Sequence, residues 1–127
     1  MSPEAVDYLT IAQEHLQMAE DAFAANLYRH CVRDTYLVGL SAARAIVFDK
    51  TASASKTHSG TRNQLSKLVH DGLKLDEEYL RFLAVGFEMK ADLDYGPVTP
   101  VDKDTAETAL NMARRFLAAA KALCGIT

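Results

Sequence analysis

The stretch Tyr36-Leu37-Val38-Gly39-Leu40-Ser41-Ala42-Ala43-Arg44-Ala45-Ile46-Val47-Phe48 decides the fold. It is apolar on nearly every side at helical period, interrupted only by Ser41 and Arg44. A helix that is hydrophobic all round belongs inside a bundle, where other helices cover each of its faces. Gly39, Ala42, Ala43 and Ala45 leave room for neighbouring backbones to approach. The reading extends this central helix from about Leu27 to Asp49, with Arg29, His30, Arg33 and Asp34 making its first half amphipathic.

Four further helices are expected around it. The first opens at Ser2-Pro3-Glu4, which is a cap, a proline at the first helical position and an early acid. Its apolar stripe is Ala5, Tyr8, Leu9, Ala12, Leu16, Ala19 and Phe23, and it is expected to end near Asn26. After the polar stretch Lys50 to Lys56, a short helix is expected from Thr57 to His70, with Asp71-Gly72 as its stop. Asp76 caps a fourth helix that runs to about Asp92, and its interior Gly86 predicts a close packing partner. Tyr95-Gly96-Pro97 and Pro100 break the chain, and Asp102 or Asp104 caps a last helix to about Cys124. No segment reads as a strand. The expected architecture is all-α: an antiparallel up-and-down four-helix bundle with one additional short helix, forming one domain over residues 1–127.

The totals exclude several classes. A net charge of -3 creates no global basic field, so a nucleic acid would have to meet a local patch. No apolar run approaches the roughly 20 residues that cross a bilayer, and the acidic N-terminus lacks a signal peptide's basic start. The expectation is a cytoplasmic protein that does not contact a membrane. Cys31 and Cys124 read as buried free thiols. No set of histidines and acids has metal-ligand spacing, and no glycine-rich phosphate loop occurs, so neither metal nor cofactor is expected.

With the helices placed, three elements in order resemble the HEPN domain family. The first is the Tyr36 to Ala45 core with its alanine-alanine-arginine-alanine run. The second is the turn Lys56-Thr57-His58-Ser59-Gly60, similar to that of one HEPN branch. The third is Asp76-Glu77-Glu78-Tyr79-Leu80 with Lys90-Ala91-Asp92-Leu93-Asp94-Tyr95 further along. The resemblance spans about Asp7 to Ala122. It implies a helical bundle, commonly a homodimer, that acts either as a metal-independent ribonuclease or as a binding module. Members often stand beside a minimal nucleotidyltransferase in toxin-antitoxin-like pairs.

The family's nuclease motif is an arginine followed after four to six residues by a histidine. Such a pair can orient a ribose hydroxyl and stabilise a charged phosphorane. No arginine here has a histidine in that window; Arg62 and His70 are separated by seven residues. Lys90 stands where the motif arginine is expected, and lysine lacks the planar fork that grips phosphate. The leading expectation is therefore a non-catalytic HEPN-type binding or interaction protein, possible partner of a nucleotidyltransferase. The alternative is a divergent ribonuclease or toxin using His58, Lys90 and Tyr95.

Lys56, His58, Ser59, Gly60 and Lys90 are the candidate site for an anion, a nucleotide or RNA, because free amides at a helix start attract phosphate. The competing reading is structural: Thr57 or Ser59 caps the short helix, and His58 bonds an acid such as Asp92 or Asp94. Arg44 needs a partner inside its apolar helix, and Asp92 or Asp94 is the expected one. Asp92, Asp94 and Tyr95 are thus expected to line or support the site.

Overall fold

The computed structural model describes residues 2–95 and 100–126, with the side chain of Tyr95 outside what is described. Five helices follow in order: α1 (Pro3–Ala24), α2 (Tyr28–Thr51), α3 (His58–His70), α4 (Glu77–Tyr95) and α5 (Lys103–Leu123). No strand occurs among the described residues. The expected break at Gly96-Pro97 lies outside them.

α2 is the axis of the molecule, and all four other helices pack on it. Val38, Ala42, Ala43, Ala45, Ile46 and Val47 have no accessible surface, which is why the sequence there carries no polar stripe. α1 and α5 cover one side of α2, and α3 and α4 cover another. Phe116 of α5, fully buried, stacks against Tyr79 and Phe82 of α4 with ring centroids 4.9 and 6.3 Å away.

The caps are local chemistry. Ser2, Thr57 and Asp102 each accept a backbone N–H three residues on, at Ala5, Gly60 and Thr105. The choices left open in the sequence therefore fall to Thr57 rather than Ser59, and to Asp102 rather than Asp104. α2 runs two residues past the expected end, to Thr51, because Ala52 turns left-handed (φ 64°) and sends its N–H to the Phe48 carbonyl. α1 stops at Ala24, and Asn26 takes the positive φ (62°) that asparagine tolerates.

Gly86 has the close neighbour its position predicts. A Cβ there would lie 2.7 Å from Cδ1 of Tyr36, so α4 approaches α2 as closely as it does only because residue 86 has no side chain. This contact fixes α4 against the centre of α2, and thereby places Phe87 beside the start of α3.

Candidate functional site at the corner of α2, α3 and α4

The turn before α3 is a hydrogen-bonded staple. The Ser55 amide donates to Gln64 Oε1 (2.8 Å), and the Gly60 amide donates to Thr57 Oγ1 (3.0 Å). A Cβ on Gly60 would come 2.1 Å from Ser55 Oγ, so only glycine leaves that serine its place. Thr61, fully buried, shares its hydroxyl proton between the carbonyls of Ser55 and Thr57, each 3.0 Å away.

Arg44 reaches into this staple from α2. Its Nε donates to Thr61 Oγ1 (3.3 Å) and its Nη2 to the Lys56 carbonyl (3.1 Å). The expectation that Asp92 or Asp94 neutralises Arg44 is therefore corrected. Neutral oxygens orient the guanidinium, and its charge stays uncompensated by any ion pair among the described residues. Asp92 is exposed on α4. Asp94 instead binds Lys90 Nζ at 2.6 Å and Arg33 Nε at 3.3 Å. Arg33 thereby ties the start of α2 to the end of α4, as does Arg29, whose Nη2 donates to the Leu93 carbonyl (3.0 Å). Arg29 and Arg33 of α2 are thus both engaged by the end of α4.

His58, half-buried, also lacks the acidic partner expected of it. Its Nδ1 lies 2.8 Å from the Tyr36 hydroxyl, and its ring meets Phe87 edge-on at 5.5 Å. Tyr36 is 2% exposed and its hydroxyl has no other partner among the described residues. A buried phenol must donate its proton somewhere, so we assign the donation to Nδ1, which leaves the histidine proton on Nε2. Nε2–H is then a donor directed away from Tyr36.

Burial, and after it the charges of Arg44 and Lys90, hold the His58 imidazole below its ordinary pKa. Burial raises the Tyr36 phenol, against the pull of Arg62 and Arg44. No carboxylate is among the groups acting on either ring. Because the folded protein disfavours the imidazolium, His58 adds stability that is complete above about pH 6.5 and is lost as the pH falls below it. Melting temperature is expected to drop between pH 7 and pH 5, less steeply in His58→Gln. Parallel slopes for the two proteins would show that His58 is not the titrating group.

Of the residues singled out in the sequence, Lys56, His58, Ser59 and Gly60 are thus joined with Arg44 and Lys90 at one corner. Tyr95 lies outside the described side chains. Two participants were missed. Tyr36 belongs to the apolar run of α2, and Arg62, whose charge acts on the Tyr36 phenol, has no histidine at motif spacing. A signal for Arg62 was present: between Asp49 and Asp71 there is no acid at all, while Lys50, Lys56, Arg62 and Lys67 supply four cations. The two cysteines are buried and free, and burial, with the Asp34 charge, pushes the Cys31 thiol up to about 11. Burial raises the Cys124 thiol as well, so both are held protonated at neutral pH.

The chain is thus an all-helical bundle built around α2, with the turn before α3 held against that central helix. A HEPN domain model matches residues 5–123, and the chain belongs to that family. It is similar to a UPF0332 protein of Archaeoglobus fulgidus, 30% identical over 110 residues that make up 87% of this chain and 86% of the relative. No helix among the described residues is long and apolar enough to cross a membrane, and no group of three metal-ligating side chains occurs there.

Proposed function

We propose that this protein is a non-catalytic HEPN-type binding protein whose α2–α3–α4 corner holds the phosphate of a nucleotide or of RNA. One observation carries the reading: the Arg44 guanidinium is oriented at this corner by neutral oxygens, and it has no ion-pair partner among the described residues. Arg44 is fixed by two neutral acceptors and keeps its remaining N–H groups for a ligand. Nε2–H of His58 adds to it, and Phe87, 41% exposed, offers a ring on which a base can stack. Lys90 is held by Asp94 and contributes mainly to the field.

The reading excludes cleavage because the chain has no arginine–histidine pair at the family's nuclease spacing. Lys90 in its salt bridge is not a substitute for the missing arginine. Family membership supports two further proposals: a homodimer, and a minimal nucleotidyltransferase as protein partner. Binding of a short labelled oligoribonucleotide, followed by fluorescence anisotropy and then by gel, tests the main one. The expected result is saturable, salt-sensitive binding with intact RNA after prolonged incubation. Cleavage that disappears in His58→Ala would establish the ribonuclease reading instead.

A further inference from the structure

α4 and α5 meet at the start of α4 and part beyond it. Tyr79 and Phe82 pack on Phe116 of α5, and Glu78 pairs with Arg115 across the two helices (3.4 Å). Past that junction α4 stays with α2 and α3, and an open groove of about 440 Å³ separates it from α5. Tyr36 of α2 is part of its floor, Val85 and Met89 belong to one wall, and Ala109 and Met112 to the other. Val85 is 54% exposed at the rim. An apolar groove of this size is within the range of small-molecule sites.

Its charges say what fits. Among the described residues that line the groove, only Glu78 and Arg81 are charged. Glu78 is taken by Arg115. Arg81 is exposed and takes part in no ion pair among the described residues. The groove therefore offers one uncommitted cation, a turn from its closed end, and apolar surface from there on. Arg81 and Met89 are eight residues apart on α4, which is about 12 Å along the helix. The flexible thioethers of Met89 and Met112 can close around a slender chain. A partner helix fits less well, because the Phe116 junction stops it from running through the groove.

We infer that the groove binds an amphiphilic anion, a medium-chain alkyl carboxylate whose head group meets Arg81 and whose tail runs past Val85 and Ala109 towards Met89. One cation matches one head group, and the apolar walls match the tail. The site does not rest on the phosphate reading, although Tyr36 borders both places, with its hydroxyl on His58.

Methionine-methyl NMR of the full chain tests it, with decanoate as the probe below its micelle concentration. Met89 and Met112 are expected to shift saturably, while Met18, 53% exposed on α1, stays in place as the control. Calorimetric titration with hexanoate, octanoate and decanoate is expected to show binding tightening about three- to fourfold per methylene, the gain from burying one. Arg81→Gln is expected to weaken decanoate about three- to fivefold, the upper end for an exposed ion pair, and to leave decanol unaffected. Ala109→Phe, which fills the groove, is expected to abolish binding of both, with helicity unchanged by circular dichroism. Decanoate is expected to bind Arg44→Met as tightly as the wild type, so failure here is distinct from failure at the phosphate corner. Equal shifts at Met18, an affinity indifferent to chain length, or equal losses of decanoate and decanol in Arg81→Gln would each overturn the proposal. So would Met89 and Met112 signals that follow protein concentration and ignore decanoate, since the groove would then be a protein–protein face.

Discussion

Replacing Arg44 with methionine is expected to weaken ligand binding on the order of 10- to 100-fold while leaving a folded protein. The substitution keeps an aliphatic stem of similar length and removes the guanidinium. Two hydrogen bonds go with it, to Thr61 Oγ1 and to the Lys56 carbonyl. The Lys56 carbonyl is exposed enough for water to replace the lost donor, and Thr61 keeps its own bonds to Ser55 and Thr57. The loss of stability is therefore about 1–2 kcal/mol, the net value of such bonds rather than the full penalty of a buried orphan. Affinity suffers more. A charge-assisted contact to phosphate is worth about 1.5–3 kcal/mol, so binding is expected to weaken on the order of 10- to 100-fold. Arg44→Lys separates charge from shape: one ammonium cannot span both acceptors and still face a ligand, so most of the affinity stays lost. Calorimetric titration and thermal melts read both effects. A lysine variant with full affinity would mean that only the charge matters.

Gly86→Val is expected to have the opposite signature, with stability and site lost together. The new Cβ would sit 2.7 Å from Cδ1 of Tyr36 and 3.3 Å from its Cγ. Tyr36 cannot step aside, because it is 2% exposed and its hydroxyl is bonded to His58. Either α4 moves away from α2 or Tyr36 gives up His58. Overpacking of this kind costs about 1–3 kcal/mol, and a β-branched residue adds no helix propensity large enough to offset it. The melting temperature is expected to fall by roughly 10 °C, and the His58 ring to lose its bond. Gly86→Ala, which gains about 1 kcal/mol of helix propensity against a smaller clash, should lie between the two. An unchanged melting point in Gly86→Val would show that the α2–α4 approach is not tight.

The helices were legible because each level of the sequence agreed on them. The unbroken apolar run of α2, the cap at Ser2, the caps narrowed to Thr57 or Ser59 and to Asp102 or Asp104, and the stop at Asp71-Gly72 all rest on chemistry within four residues. Even Gly86 announced a close neighbour, though not that Tyr36 would be the neighbour. The partners at the corner were not legible. From sequence alone a carboxylate is the expected partner for Arg44 and for His58, since an acid is the obvious match for a charge. Arg44 is satisfied by a backbone carbonyl and a hydroxyl, and every residue carries a carbonyl, so composition cannot flag it. His58 finds a tyrosine 22 residues earlier on another helix. The whole-chain charge of -3 averaged away the acid-free run from Lys50 to His70. Arg62 was therefore judged by the spacing to one histidine, and not by the neighbourhood it belongs to.

The central claim is that this corner is a phosphate site, and the ring nitrogens of His58 report on it directly. Long-range nitrogen–proton NMR spectra of the free protein should show the proton on Nε2 and the imidazole titrating below its ordinary range. Adding adenosine monophosphate should shift Nε2 in a saturable way and raise the His58 pKa, because a bound anion opposes the pull of Arg44 and Lys90. Neither change is expected in Arg44→Met. A His58 signal that ignores the nucleotide at saturating concentration, with its pKa unmoved, would contradict the account.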